Sequence, residues 1–140
     1  MANPDDFLYE YAVVRYVPRV DREEFINIGM VMMCKRRRWL KGEIFIDADR
    51  VMAFDPRADI DFLSRQASLF TRDDVPSPGI PVEERYRWLT AVKSAVLQVS
   101  PSHPGLLPDT ADEDAGRNDA GDAESRLCAE FRRLFHQLVK

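Results

Sequence analysis

Apolar residues fall along this chain in two kinds of run. From Leu8 to Val17 the β-formers Tyr9, Tyr11, Val13 and Val17 recur until Pro18 and Arg19 close the run, which predicts a strand. Phe25 to Cys34 is more continuous. Val31, Met32 and Met33 stand together, as in a central strand covered on both faces, and Gly29 predicts a bulge or a close backbone approach. Lys35-Arg36-Arg37-Arg38 interrupts the pattern, and Trp39 to Ile46 then alternates imperfectly up to Asp47. Two apolar runs around a short polar interval read as a β-hairpin with its tip near Arg36 and Arg37.

Helical spacing follows. Asp55-Pro56 offers an N-cap and a first-turn proline, and Ile60, Leu63, Ala67 and Phe70 recur at threes and fours. Pro76, Pro78, Gly79 and Pro81 break the pattern, and Glu83 with Glu84 marks a second helix start. From Trp88 to Val99 two readings compete. Trp88, Val92, Ala95, Val96 and Val99 would line a helix, whereas Ala95 to Val99 is short and β-rich; a helix ending near Trp88 and a strand around Ala95 to Val99 is favoured. Pro101, Pro104, Gly105 and Pro108 predict an irregular path. Leu127, Phe131, Leu134, Phe135 and Leu138 predict an amphipathic helix starting near Asp122. The expected fold class is α+β: an antiparallel sheet of three to four strands covered by two to three helices, with the amphipathic helix at the C-terminus.

Composition narrows the class without naming an activity. At 140 residues, 45% hydrophobic and 31% charged, the chain fits one globular domain, residues 1–140. No apolar run approaches a bilayer span, and the first residues lack a signal-peptide pattern, so a cytoplasmic protein is expected. The total charge of −4 is unevenly spread. Asp109 to Glu124 holds seven acids against Arg117 alone, a net −6 that leaves +2 on the rest. The 109–121 stretch, rich in Asp, Ala and Gly, reads as a flexible acidic linker before the last helix. Cys34 and Cys128 form no Cys-x-x-Cys pair, and with His103 and His136 they lack ligand spacing, so neither metal nor cofactor is expected.

Candidate chemistry is sparse, and phosphate-loop, dinucleotide-turn, zincin and nucleophile-elbow signatures are missing. The densest polar stretch is Gln98-Val-Ser100-Pro-Ser102-His103-Pro-Gly105, a loop stiffened by prolines in which His103 would bind or move a proton. Its plainer reading has the Ser and His side chains satisfying loop backbone. Arg15 sits among Val13, Val14 and Val17, so it must snorkel or meet an acid such as Glu23 or Glu24, with Asn27 nearby. The plainer and favoured reading is an ordinary structural ion pair. Lys35, Arg36, Arg37, Arg38 and Lys41, with Trp39 among them, form a candidate polyanion contact. Charge on an exposed hairpin also serves solubility and blocks edge pairing.

Three segments together resemble a bacterial family known as domain of unknown function 3037. They are Tyr9-Glu10-Tyr11-Ala12-Val13-Val14-Arg15-Tyr16-Val17-Pro18, Glu24-Phe25-Ile26-Asn27-Ile28-Gly29-Met30-Val31, and Arg87-Trp88-Leu89-Thr90-Ala91 leading into Ser94 and Gln98 to Gly105. The family pattern has Pro-Arg where this chain has Val92-Lys93, and the Asp-rich stretch looks like a local insertion. The resemblance implies no reaction. It does imply a context, since such proteins are often encoded beside HipA-like kinases.

These readings favour a small accessory or regulatory protein, not an enzyme, that binds a partner such as a HipA-like kinase. Its expected recognition pocket is Arg15, Glu24, Asn27, Gln98, Ser100 and His103, with Arg15 and His103 approaching each other. The rivals are a nuclease or other phosphate-processing enzyme using His103 and Arg15, and a non-specific nucleic-acid-binding module gripping through Arg36, Arg37 and Arg38.

Overall fold

A computed structural model describes residues 7–91, 94–107 and 119–140. Most of the expected linker, residues 109–118, and the Val92-Lys93 position lie outside the described residues. The class is α+β, with an antiparallel sheet of five strands. Strands β1 (Phe7–Tyr16), β2 (Ile26–Cys34) and β3 (Trp39–Ile44) form one side of the sheet, in the order β3-β2-β1. On the far side of β1 lie β4 (Leu97–Val99), paired with Val14–Tyr16, and β5 (His103–Leu107), paired with Phe7–Tyr11.

The central strand reads as expected from its continuous apolar run. In β2, Met30, Met32 and Cys34 pack beneath the C-terminal helix α4 (Asp119–Leu138), with Phe7, Tyr9, Leu127, Phe131 and Phe135. Val31 and Met33 face the opposite way, toward α1 (Ala48–Phe54), α2 (Ile60–Ala67) and α3 (Val82–Thr90). Ile28 is the extra residue where the register shifts: Val14 pairs with Gly29 and Arg15 with Asn27. Such a bulge lets Ile26 and Ile28 keep the same face as Val31. Gly29 is required by close approach, because a Cβ there would lie 2.7 Å from the Glu43 carbonyl.

Three local expectations are corrected. Asp55-Pro56 does not start a helix. Asp47 caps α1 by accepting from the Arg50 amide, and Asp59 caps α2 by accepting from the Phe62 amide, at 3.2 and 3.0 Å. Asp55 instead ends α1, and its carboxylate accepts from the Tyr16 hydroxyl at 2.6 Å. The stripe that motivated the helix is real, since Leu63, Ala67 and Phe70 are all buried. The path after Pro101 is also not irregular throughout, because His103–Leu107 forms β5 despite Pro104 and Gly105. A proline is tolerated on an edge strand, where its missing N–H disturbs no inner ladder. Finally, α4 begins at Asp119, earlier than Asp122, so residues 119–121 of the expected linker are helical.

Candidate functional site

Strands β4 and β5 act as one edge strand broken at Pro101, and Ser100 mends the break. Its amide donates to the Val13 carbonyl at 2.8 Å, and its Oγ accepts from the Val13 amide at 2.9 Å. The side chain thus takes the place of a ladder carbonyl, which explains why Ser100 is buried.

Arg15, Asn27 and Gln98 are brought together. Arg15 pairs with Asn27 on one side and Gln98 on the other, so the three form a row across three strands on the α4 face. Much of the row serves the fold. Asn27 Nδ2 donates to the Leu138 carbonyl at 2.9 Å, holding the end of α4, and Gln98 Nε2 donates to the Ala95 carbonyl. The Arg15 guanidinium lies 4.1 Å from the centre of the Phe25 ring. Among the described residues no acid is paired with it, and Glu24, one of the two acids expected there, is paired with Arg22. His103 shares the face but not the row. It pairs with Tyr11, ring centres 5.3 Å apart, four residues before Arg15 on β1 or roughly 13 Å along the strand. The expected approach of Arg15 to His103 is therefore absent.

The neighbouring residue, Ser102, opens onto the opposite face of the sheet. A cleft of about 460 Å³ lies between α3 and the β1–β5 edge, lined by Leu8, Glu10, Lys35, Tyr86, Arg87 and Ser102 among others. Ser102 Oγ donates to Glu10 at 3.1 Å and shares a 2.7 Å hydrogen bond with the Tyr86 hydroxyl. Burial pushes the Tyr86 phenol up to about 12. Ser102 gives its single hydroxyl proton to Glu10, so Tyr86 is the donor to Ser102. The result is a directed row, Tyr86 to Ser102 to Glu10, with the cations Lys35 and Arg87 at its sides. Beside it Leu8 and Leu106 pair across the strands, 63% and 44% exposed. Neutral hydroxyls, two carboxylates (Glu10 and Glu83), two cations and an apolar ledge can hold a ligand by hydrogen bonds and packing together.

The basic tip forms a separate surface. Lys35 to Arg38 make the turn between β2 and β3, with Arg38 in the left-handed region at φ 51°. Arg37 packs over the buried Phe7 ring at 4.3 Å, next to the first turns of α4.

Two signals of the cleft were present in the chain. Glu10 is the one acid inside the Leu8–Val17 apolar run, and Tyr86 with Leu89 forms the buried stripe of α3. What sequence could not supply was the strand at His103–Leu107, which turns Ser102 and Pro104 to the cleft and His103 away from it.

Among the described residues, no group of three or more His, Cys, Asp or Glu side chains is placed to hold a metal ion, and no helix is long and apolar enough to cross a membrane. No curated protein and no solved structure matches the chain. The sequence model of one protein family, described as protein of unknown function (DUF3037), matches residues 11–115. That match covers about three quarters of the chain, including Arg87 and the Gln98–Gly105 segment that help to build the cleft and the edge strand, and on it the protein belongs to the DUF3037 family.

Proposed function

We propose that the protein is a small regulatory module that works by binding a segment of a partner protein in the Tyr86–Ser102–Glu10 cleft. One observation carries this reading: segments far apart in the chain meet there. Glu10 comes from β1, Arg87 and Thr90 from α3, and Ser102 and Pro104 from the edge strand and its approach. The polar row is already formed and held by its own hydrogen bonds, so a ligand meets groups with little freedom left to lose. The Leu8–Leu106 ledge accepts an apolar side chain, while Glu10, Lys35 and Arg87 read the polar groups on either side. A protein segment offers both in the required alternation.

The gene context implied by the family resemblance makes a HipA-like kinase the first partner to try. The cytoplasm is where the two would meet, in keeping with two cysteines free of disulfides. The test is co-purification of the untagged kinase with the tagged full chain, repeated with Arg87→Glu and Ser102→Ala. Retention of the kinase by the parent chain, and its loss with Arg87→Glu, supports the reading. Retention that neither change touches contradicts the site, and no retention contradicts the partner.

A further inference from the structure

We infer, on the reading of the cleft given above, that the bound protein segment carries an acidic side chain seated between Lys35 and Arg38, about three or four residues from its apolar one. The cleft does not end at Lys35. A second concavity of about 620 Å³ continues it between the β2–β3 turn and the chain leading into α3, and the two share Lys35 and Glu83. Arg38, Ile80, Pro81 and Val82 line the new part, with Ile80 and Val82 half-buried. Within the turn, Arg37 packs over Phe7 on the α4 side, while Lys35 and Arg38 reach this groove on the α3 side.

Strand register sets the spacing. Leu106 pairs with Leu8, and Glu10 pairs with Met33, so the same register carried to the end of β2 brings Lys35 beside Leu8. The Arg38 amide donates to the Lys35 carbonyl at 3.1 Å and closes the turn. Leu106, Leu8, Lys35 and Arg38 thus follow one another across the sheet, each roughly 5 Å from the next. From the middle of the apolar ledge to the middle of the cation pair is roughly 10 Å, which an extended chain crosses in about three or four residues.

Charge decides what sits at the far end. Lys35 and Arg38 are exposed, and among the described residues neither side chain makes an ion pair or a hydrogen bond. The groove sets Lys35, Arg38 and Arg87 against Glu10 and Glu83. Glu10 already accepts from Ser102, and Glu83 lies in the first turn of α3, where a carboxylate offsets the positive helix end. A carboxylate from the partner balances the charge that remains, whereas a basic side chain would be repelled. A nucleic-acid strand fits less well, because Leu8, Ile80 and Val82 ask for apolar side chains along the same path.

The test is a selection of random peptides, displayed on phage, on the immobilised full chain and on the same chain carrying Lys35→Glu and Arg38→Glu. Peptides selected on the parent chain should hold Asp or Glu about three or four residues from a Leu, Ile, Met or Phe. The double variant should select Lys or Arg at that place instead. A synthetic peptide from the parent selection should bind the double variant about tenfold or more weakly. Lys35→Gln with Arg38→Gln, which adds no repulsion, should lose the acidic preference without gaining the opposite one. Peptides that need Arg87 and Ser102, as tested by Arg87→Glu and Ser102→Ala, but show no acidic preference would overturn the anchor and leave the cleft reading standing. Peptides indifferent to Arg87→Glu and Ser102→Ala, or no selection at all, would overturn both.

Discussion

The ring of Tyr9 lies flat against Gly105, so closely that a Cβ on Gly105 would come within 2.2 Å of the ring. The two residues are cross-strand partners in β1 and β5, and the Tyr9 hydroxyl continues outward to donate to Glu130 of α4 at 2.5 Å. Gly105 is therefore the place where the edge strand makes room for a side chain that ties the sheet to the C-terminal helix. Gly105→Ala should cost about 1–3 kcal/mol by overpacking. Gly42→Ala should cost more, because its Cβ would meet the Phe70 carbonyl oxygen at 1.9 Å and backbone yields less than a ring. Urea denaturation of the two variants gives the order directly.

Glu130 supplies a pH signature. The Arg133 hydrogen bond, and then the Tyr9 hydrogen bond, hold its carboxyl below the usual range. A carboxyl depressed in the folded state stabilises fully above its unfolded value of about 4.3, and that contribution is lost as pH falls through the lower folded value. Stability should accordingly fall on acidification below about pH 4, and Glu130→Gln should remove that part of the slope. Tyr9→Phe should raise the Glu130 titration midpoint by a smaller amount than Arg133→Ala. Carboxyl-carbon chemical shifts followed against pH measure both.

Asn27 separates a structural from a binding role within the Arg15 row. Its Nδ2 donates to the Leu138 carbonyl at the end of α4, and Arg50 donates to the Val139 carbonyl just beyond it at 2.9 Å. Asn27→Ala should lower stability by about 1 kcal/mol, typical of one hydrogen bond, and leave partner binding unchanged. Thermal melts and a binding isotherm on the same preparation distinguish the two effects.

The long strands were legible because burial on both faces leaves a mark that local sequence carries: Val31, Met32 and Met33 need no alternation when α4 and the other helices cover both sides. The basic turn and the C-terminal amphipathic helix were legible for similar reasons. Helix starts were harder, since Asp47, Asp55 and Asp59 are equivalent as local caps and only tertiary contact, Tyr16 with Asp55, decides among them. The edge strand was hidden by Pro104 and Gly105, whose breaker character is real in isolation and harmless beside Tyr9. With β5 unseen, Ser102 and His103 looked like one polar cluster. As a strand, β5 sends His103 to Tyr11 on the α4 face, and Ser102 just before it faces Tyr86 on the other.

Tyr86 and Ser102 allow a narrower test of the cleft than charge reversal does. Tyr86→Phe removes the donor to Ser102 but keeps the buried ring, so the fold should tolerate it at about 1 kcal/mol. If the row is the recognition element, partner affinity should fall by about tenfold with Tyr86→Phe, and a similar loss with Ser102→Ala should not add to it, because both break one network. Calorimetric titration of the single and double variants measures the coupling.

The most direct measurement is an amide chemical-shift map of the full chain as the HipA-like kinase is added. Shifts should concentrate at Glu10, Lys35, Tyr86, Arg87, Ser102 and Leu106, with Arg15, Asn27 and Gln98 left in place. Shifts centred on the Arg15 row or on His103, with the cleft residues unmoved, would contradict it.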